Sequence, residues 1–373
     1  MAESNRLVDL VQLGIDEFLA ERAAEFSAIA PELEPLIELA RGFLSGGKRF
    51  RALFCYWGWQ SVAGLTDDFD PLADLDASVD LPGVVLTASA LEVFHAAALV
   101  HDDIMDNSDT RRGLPSAHLL FERLHRDSSW QGRPDTFGTS AALLLGDLLL
   151  GWSDEIFDRG AGLLAERASA VAGRMEFNRM RTEVTAGQYL DILEENSWAS
   201  HDEADALSRA HRVIVFKSAK YSIEAPLAIG AALGGGSLAQ LAALRSFGLP
   251  LGVAYQLRDD LLGVYGDPRV TGKPAGDDLR EGKRTVLIAL ARPRLPAHLR
   301  SLVDELLGDP DLDNQQVDMI RTALRDCGAV DEVERIIDHN VELARQALAD
   351  APIAASARAQ LVQLAETVTR RTA

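Results

Sequence analysis

The chain has 373 residues, of which 47% are hydrophobic and 25% are charged, and its formal net charge at pH 7 is −20. An apolar fraction of this size is typical of a globular protein and excludes a chain that is disordered throughout. The negative charge argues against nucleic-acid binding and against a polybasic membrane anchor, because both need a basic surface. An anionic substrate would therefore need a local concentration of positive charge.

Apolar residues recur at helical spacing from the N-terminus onward, for example at Leu7, Leu10, Val11 and Ile15. Alternation typical of strands is missing, and abundant Ala and Leu with only 6% aromatic residues favour helices. We predict one all-α domain over residues 1–373.

Short polar or glycine-rich segments mark the expected helix ends. They are residues 45–47, 64–83, 126–135 and 234–236. We interpret 64–83, which is rich in aspartate and ends in Pro82-Gly83, as a solvated surface loop, because it lacks the spacing and the glycine of a calcium-binding loop.

Compartment and membrane association can also be predicted. Cys55 and Cys327 are too few for a disulfide framework or a zinc site, and the apolar neighbours of Cys55 predict a buried core residue. The first residues lack the basic and apolar regions of a signal peptide. The apolar run 141–151 is short and is broken by Asp147, so we predict no membrane span and a cytoplasmic protein.

The most informative segment is 92–106, an apolar run that ends in aspartates. Asp102 and Asp106 are four residues apart and share one helix face, where two carboxylates repel unless a cation lies between them. Mg²⁺ prefers such carboxylate oxygens together with phosphate oxygens. Because Arg111 and Arg112 follow closely, the segment predicts a site for a phosphorylated ligand.

A similar arrangement recurs far downstream. Asp259 and Asp260 are predicted to end a second apolar helix, and the following loop, 271–285, alternates glycine with lysine and arginine. The glycines permit close backbone approach and the basic residues supply charge, although the spacing is not that of a Walker A loop. Two Asp-rich helix ends, each followed by a basic segment, are much stronger evidence than either alone.

Other basic or titratable residues are weaker evidence when taken singly. Lys48 and Arg51 are three residues apart and can face one way, and Lys217 follows an apolar run. His95 lies on the first Asp-rich helix, where a lone histidine is most often a core residue bonded to the backbone.

Taken together and in this order, the motifs resemble those of the trans-isoprenyl diphosphate synthases, also called polyprenyl synthetases. They are Gly-Gly-Lys-Arg-x-Arg, His-Asp-Asp-x-x-Asp with Arg-Arg-Gly, Lys-Ser, Gly-Gln-x-x-Asp, Gln-x-x-Asp-Asp and Gly-Lys, between Gly46 and Thr285. The resemblance implies a bundle of long antiparallel helices around a central cavity, the isoprenoid synthase fold, and a homodimer. It implies head-to-tail condensation of isopentenyl diphosphate with an allylic diphosphate (dimethylallyl, geranyl or farnesyl), with about three Mg²⁺ ions in each site.

The resemblance also implies roles for individual residues. The expected metal ligands are Asp102, Asp103, Asp106, Asp259 and Asp260. The residues expected to hold the allylic diphosphate are Arg111, Lys217, Ser218, Gln256 and Lys273. Lys283 is near enough to the second acid motif to help to hold diphosphate. The residues expected to hold isopentenyl diphosphate are Lys48, Arg51, His95 and Arg112, and those expected to line the cavity are Gln188 and Asp191. The expected catalytic residues are Asp102, Asp103, Asp106, Arg111, Lys217, Gln256, Asp259 and Lys273.

Some positions depart from the family pattern. Gly263 stands where many members have a third aspartate, and Asp267 follows four residues later. Ala52 replaces a proline, and Ser218 replaces a threonine but keeps the hydroxyl. Because the first aspartate of the second motif does most of its metal binding in the family, we expect activity to be retained.

Residues one and two turns before Asp102 bear on product length. A helix turn rises about 5.4 Å, similar to one extended C5 unit. Ala97 and Ala98 are too small to impose a C15 product. Phe94, one turn further from Asp102, can form the floor of the cavity, the surface that stops the growing chain. We predict geranylgeranyl diphosphate (C20), with farnesyl or longer (C30 or more) products as alternatives.

Two other functions occur on the same fold and are alternatives to this prediction. A class I terpene cyclase shares the first acid motif but has an Asn/Ser/Glu triad in place of the second, and Asp259-Asp260 counts against it. A non-catalytic subunit of a heteromeric synthase tends to lose acids of the first motif, which is intact here.

Overall fold

A computed structural model describes residues 2–64, 79–111, 113–266 and 276–369. Helices dominate these ranges, which confirms the predicted all-α fold. Two strands of two residues each, β1 (Thr110–Arg111) and β2 (Leu114–Pro115), pair antiparallel. The helices are α1 (Ala2–Ile29), α2 (Glu34–Leu44), α3 (Phe50–Ala63), α4 (Leu81–Met105), α5 (Ala117–Asp127), α6 (Pro134–Ala161), α7 (Arg167–Ser197), α8 (Ala206–Val213), a π-helix (Ile214–Glu224), α9 (Ala225–Leu233), α10 (Leu238–Tyr265), α11 (Asp277–Arg280), α12 (Val286–Ala291), α13 (Ala297–Leu306), α14 (Asn314–Asp326), α15 (Ala329–Ala349) and α16 (Ala355–Thr369).

Helix α4 is a core helix of the fold. Most of its residues are buried, as expected for a helix that is apolar around its whole circumference. It packs along α6 and contacts α1 and α3. Its length and composition alone would allow it to cross a membrane, but 78% of its most apolar window is buried inside the fold, as in the core helix of a globular protein.

Several predicted breaks fall where expected. Helix α2 ends before residues 45–47, and residues 234–236 separate α9 from α10. The predicted loop 126–135 is shortened to residues 128–133, because α5 continues to Asp127 and α6 begins at Pro134. The acidic loop predicted over 64–83 ends earlier than expected, because α4 already begins at Leu81. Pro82 lies in the first turn of α4, where the backbone N–H that proline lacks would have no helical partner. Residues 65–78 of that loop lie outside the described residues.

The prediction for the end of the second apolar helix is wrong. Helix α10 does not end at Asp259-Asp260 but continues to Tyr265. The reason is that Leu261 and Val264 extend its buried face against the neighbouring helices. The two aspartates therefore project from the side of a continuous helix.

Buried apolar side chains form two clusters. The larger unites the N-terminal helices with α9, the first half of α10 and α16, and the smaller packs the second half of α10 against α12 to α15. Cys55 is fully buried in the larger cluster, as predicted, and burial raises the pKa of its thiol to about 12.

Helices α3 and α9 meet through backbone rather than side chains. A Cβ atom at Gly230 would lie 1.8 Å from the carbonyl oxygen of Cys55, and one at Gly58 would lie 2.3 Å from the carbonyl oxygen of Leu227. Both distances are far below van der Waals contact, so glycine is required on each helix for this close approach.

We expect Gly230→Ala to destabilise the protein, because the added methyl group must push α3 and α9 apart. Overpacking of this kind costs about 1–3 kcal/mol, which urea unfolding would measure as a lower free energy of unfolding. Gly42→Ala in α2 is the matched control, since a Cβ there meets nothing within 4 Å. Equal stability of the two variants would contradict the close contact.

Candidate active site

A cavity of 820 Å³ lies among α4, α7, α10 and the π-helix, with residues 47–51 and the segment around Lys283 at its edge. Both apolar clusters contribute side chains to its wall, for example Val184 from α7 and Ile214 from the π-helix. Charged side chains from distant parts of the sequence meet in it, so the helix packing brings the predicted motifs together.

Asp102 lies on the last turn of α4 and points into a group of donors. Its Oδ1 accepts a hydrogen bond from Nε2 of Gln188 at 3.0 Å and lies 3.1 Å from Nζ of Lys217, and its Oδ2 lies 3.3 Å from Nη2 of Arg111. Burial alone would favour the neutral acid. Lys217, Lys283 and Arg111 outweigh burial and hold the pKa of Asp102 well below its ordinary value, so this carboxylate is ionised.

Lys217 connects the end of α4 with α7. Its ammonium group contacts both Asp102 and Asp191, which lies three residues after Gln188 on α7. Burial opposes the charged form, but the two carboxylates raise the pKa of Lys217 above its ordinary value. Lys217 is therefore a permanent cation in the cavity.

Asp103, the next residue of α4, is completely buried. Nε of Arg111, on β1, donates to its Oδ1 at 2.8 Å. Although Arg111 is buried, Asp103 and Asp102 raise its pKa above the ordinary value. Asp103 thus fixes the guanidinium group beside Asp102.

Asp106, the first residue after α4, faces the segment that follows α11. Its Oδ2 lies 3.2 Å from Nζ of Lys283, which also pairs with Glu281. Burial raises the pKa of Asp106, partly offset by Lys283, and the charge of Asp102 adds to the rise. The pKa of Lys283 is raised in turn, because Asp278, Glu281 and Asp106 outweigh its burial.

Asp259 and Asp260 line the cavity from α10. Gln256, one turn earlier, donates a hydrogen bond from Nε2 to Oδ1 of Asp260 at 2.8 Å. Burial raises the pKa of Asp260 to about 8; Gln256 opposes the rise, whereas Asp278 and Asp259 add to it. This side of the cavity accumulates negative charge that a cation would relieve.

A basic edge of the cavity forms around Tyr221. The guanidinium carbon of Arg51 lies 4.3 Å from the centre of the Tyr221 ring, and Nη2 of Arg51 donates to Oγ of Ser222 at 2.9 Å. Nδ1 of His95 lies 3.0 Å from the Tyr221 hydroxyl oxygen. His95 is therefore bonded to a side chain of the cavity wall and is not the isolated core histidine that is the commoner case.

Buried charges hold the start of α3 against α4. Arg49, which has a left-handed backbone conformation (φ 50°), pairs with Glu92 at 3.5 Å, and both side chains are only 5% exposed. Oε1 of Glu92 also accepts a hydrogen bond from the backbone N of Ala52 at 3.1 Å. This contact fixes the neighbouring Lys48 and Arg51 at the edge of the cavity.

Lys217 and Ser218 belong to the π-helix, which the sequence does not predict. Glycines from two helices contact its backbone: a Cβ at Gly187 would lie 2.3 Å from the backbone N of Lys217, and one at Gly252 would lie 2.4 Å from the carbonyl oxygen of Ala219. Segments of π-helix occur frequently at functional sites. Here the wide turn and the close approach of α7 bring Lys217 within reach of Asp102.

Most of the predicted site residues line this one cavity. They are Lys48, Arg51, His95, Ala98, Asp102, Arg111, Gln188, Asp191, Lys217, Ser218, Gln256, Asp259, Asp260 and Lys283. Asp103 and Asp106 contact lining residues, whereas Phe94 and Ala97 are buried behind the wall. Arg112, Asp267 and Lys273 lie outside the described residues.

Further residues belong to the site although the sequence alone points to no role for them. Tyr221 lies four residues after Lys217, and Asp278 lies in the glycine-rich basic loop. Their closeness in sequence to these motifs could have indicated that they belong to the site. Arg284 directly follows Lys283. Glu195 lies one turn after Asp191 on α7, the same kind of spacing, and is not among the residues that line the cavity; burial, Asp191 and Asp106 raise its pKa to about 8.

The acid side chains fit magnesium held together with phosphate groups. Within the described ranges, no three His, Cys, Asp or Glu side chains are gathered closely enough to hold a metal on their own. Asp102 and Asp106 are instead paired with lysine and arginine. Mg²⁺ typically binds one or two carboxylates and completes its shell with phosphate oxygens and water, which is the donor set available here.

Comparisons with known proteins agree with this geometry. The polyprenyl synthetase family model matches residues 34–325. The chain is 37% identical to a geranylgeranyl pyrophosphate synthase from Corynebacterium glutamicum, solved with isoprenyl diphosphate and magnesium, with a TM-score of 0.90 over 98% of this chain and 99% of that chain. It is 30% identical to a geranylfarnesyl diphosphate synthase from Aeropyrum pernix, over 86% of this chain and 88% of the relative.

A third relative extends over almost the whole chain. The geranylgeranyl pyrophosphate synthase of Geoglobus acetivorans is 28% identical over 97% of this chain and 96% of its own length. The family match covers well over half of the sequence and includes both acid motifs. The protein has the isoprenoid synthase fold and belongs to the polyprenyl synthetase family.

Proposed function

We propose that the protein is a cytoplasmic prenyltransferase, a single catalytic domain that condenses isopentenyl diphosphate with allylic diphosphates to make geranylgeranyl diphosphate. The observation that carries the proposal is the cavity in which Asp102 of α4 and Asp259 of α10 share one space with the basic edge at Arg51. Relatives that bear the names of geranylgeranyl and geranylfarnesyl diphosphate synthases support the reaction class.

The carboxylates are assigned to metal binding in this proposal. Asp102 and Asp106, supported by Asp103, would hold two magnesium ions, and Asp259 with Asp260 would hold a third. Magnesium, when bound, neutralises the leaving diphosphate and so lowers the barrier to breaking its bond to carbon. The protein's own contribution is to hold these acids on two facing helices with fixed spacing.

The basic residues are assigned to the two diphosphates. Arg111, Lys217, Ser218, Gln256 and Lys283 surround the carboxylates and would hold the allylic diphosphate. The residues assigned to isopentenyl diphosphate at the other edge are Lys48, Arg51 and His95. Lys273 and Arg112 complete the two sets by family resemblance, outside the described residues.

The reaction follows from this arrangement. The C1–O bond of the allylic substrate breaks, and the diphosphate leaves with the electron pair while Lys217 and Arg111 stabilise its charge. Leu99, Val184 and Ile214 line the cavity with apolar groups that keep water away from the allylic cation. The double bond of isopentenyl diphosphate attacks C1, and a proton from its C2 passes to the departing diphosphate.

We assign the control of product length to the side chains behind Ala98. Ala98 lines the cavity and leaves room for the growing chain, whereas Phe94, one turn deeper, packs on Tyr221 and Phe177 with ring centres 5.8 and 6.2 Å apart. This aromatic group is a suitable floor for a C20 product. Relatives named as geranylfarnesyl diphosphate synthases make the C25 product the second candidate.

The protein is also proposed to act as a homodimer. Val171, Met175, Tyr189 and Leu193 are exposed apolar residues, and their spacing puts them on one face of α7. A second copy would cover this stripe. Light scattering should give about twice the chain mass of 40.4 kDa, and Met175→Glu with Tyr189→Glu should reduce it.

The function is tested by incubating the purified protein with isopentenyl diphosphate, each allylic primer and Mg²⁺, and by sizing the dephosphorylated products. We expect a C20 alcohol, no product in EDTA, and recovery on adding Mg²⁺. Asp102→Asn should lower the rate by about 10²-fold or more, because it removes a carboxylate ligand of the magnesium that would neutralise the leaving diphosphate. Absence of product with every primer would refute the proposal.

Phe94→Ala should lengthen the product, because it removes the aromatic floor. Val93→Ala is the matched control: it removes buried apolar volume at the adjacent position of α4, about 100° around the helix from Phe94. The same product assay should give chains longer than C20 for the first variant and C20 for the control. An unchanged product from Phe94→Ala would mean that another residue sets the length.

A further inference from the structure

Gly263 is the position at which the second acid motif lacks its third aspartate. A Cβ atom there would lie 1.9 Å from Oδ2 and 2.4 Å from Cγ of Asp278. The space in which an aspartate side chain would begin at position 263 is therefore filled by a carboxylate from another part of the chain.

The local fold holds Asp278 in this place. Gly276 has a left-handed backbone (φ +75°) and turns the chain into the short helix α11. Leu279 is 1% exposed and anchors α11 in the smaller apolar cluster, and its carbonyl accepts a hydrogen bond from the backbone N of Gly308 at 2.9 Å. With Leu279 fixed in the core, the preceding side chain faces α10.

The Asp278 carboxylate shares the cavity with the second motif. It lines the same cavity as Asp259 and Asp260, and Asp259 lies four residues before Gly263 on α10, one helix turn away. Three carboxylates on one side of a cavity repel one another, and a divalent cation among them would offset this repulsion more fully than the single charge of Lys283, which interacts with Asp278. Magnesium is the cation that the family resemblance supplies, and carboxylate oxygens are its preferred ligands.

We propose that Asp278 replaces the acid missing at Gly263 and helps to hold the magnesium ion assigned to Asp259 and Asp260. The inference rests on the proposed function, because it needs that ion to bind. The rival role for Asp278 is that of a simple counter-ion for Lys283, whose backbone N donates to the Asp278 carbonyl oxygen at 3.1 Å.

The two roles can be separated by measuring metal binding directly. Mn²⁺ has the same preference for carboxylate and phosphate oxygens as Mg²⁺, and its free and bound forms are distinguished by electron paramagnetic resonance. The full-length protein is titrated with Mn²⁺ in the presence of inorganic diphosphate. The variants are Asp278→Asn, which removes the charge at constant shape, and Asp277→Asn, which makes the same change one residue away.

Asp278→Asn should weaken the weakest of the Mn²⁺ ions bound with diphosphate by about tenfold, while Asp277→Asn should leave all of them unchanged. Equal Mn²⁺ binding by the two variants would leave Asp278 only the counter-ion role and overturn the inference. If the wild-type protein binds no Mn²⁺ with diphosphate, the proposed function itself fails, and that result is visible without any variant.

Moving the carboxylate from position 278 to position 263 gives a second, independent test. Gly263→Asp alone should disturb the site, because its Cβ would collide with Asp278, and Asp278→Gly alone should weaken Mn²⁺ binding. The combination of both changes moves the acid from α11 to α10 and should bind Mn²⁺ about tenfold more tightly than Asp278→Gly. No gain in the double variant would contradict the inference.

Discussion

The site depends on a balance between buried carboxylates and the cations that face them. Asp102 is kept ionised by Lys217 and Arg111, and Asp106 faces Lys283. Such pairs are costly to separate once buried, because each unpaired charge would lose both water and its partner. The cavity can therefore keep many charges of both signs while remaining a defined, ordered site.

Each cation in this balance comes from a different part of the fold, which makes the site sensitive to helix packing. Lys217 comes from the π-helix, and its backbone is contacted by Gly187 of α7 at a distance that no larger residue permits. Arg111 comes from β1, where Asp103 fixes it. The catalytic geometry is thus set as much by small residues between helices as by the charged groups themselves.

Much of this organisation could be predicted from the sequence, and the exceptions have physical causes. Helical periodicity gives the all-α fold, and the i, i+4 spacing gives the shared face of Asp102 and Asp106, since both depend on local geometry. The end of α10 and the π-helix were not predictable, because tertiary packing decides whether a helix continues or widens. Asp278 was missed because its approach to Gly263 depends on the fold of a glycine-rich loop.

The net charge of −20 also has a clearer meaning. Several acids of the cavity are paired with cations of the protein: Lys217 and Arg111 contact Asp102, and Lys283 contacts Asp106. Without magnesium, diphosphate must compete with these carboxylates for Lys217, Arg111 and Lys283. With magnesium bound to the carboxylates, those three cations would be available to bind the diphosphate. Metal and diphosphate should therefore bind together.

Calorimetric titration of inorganic diphosphate into the protein tests this claim most directly. We expect measurable binding with Mg²⁺ present and binding at least about tenfold weaker in EDTA, since the cations then remain paired with Asp102 and Asp106. Equal affinity under both conditions would contradict it.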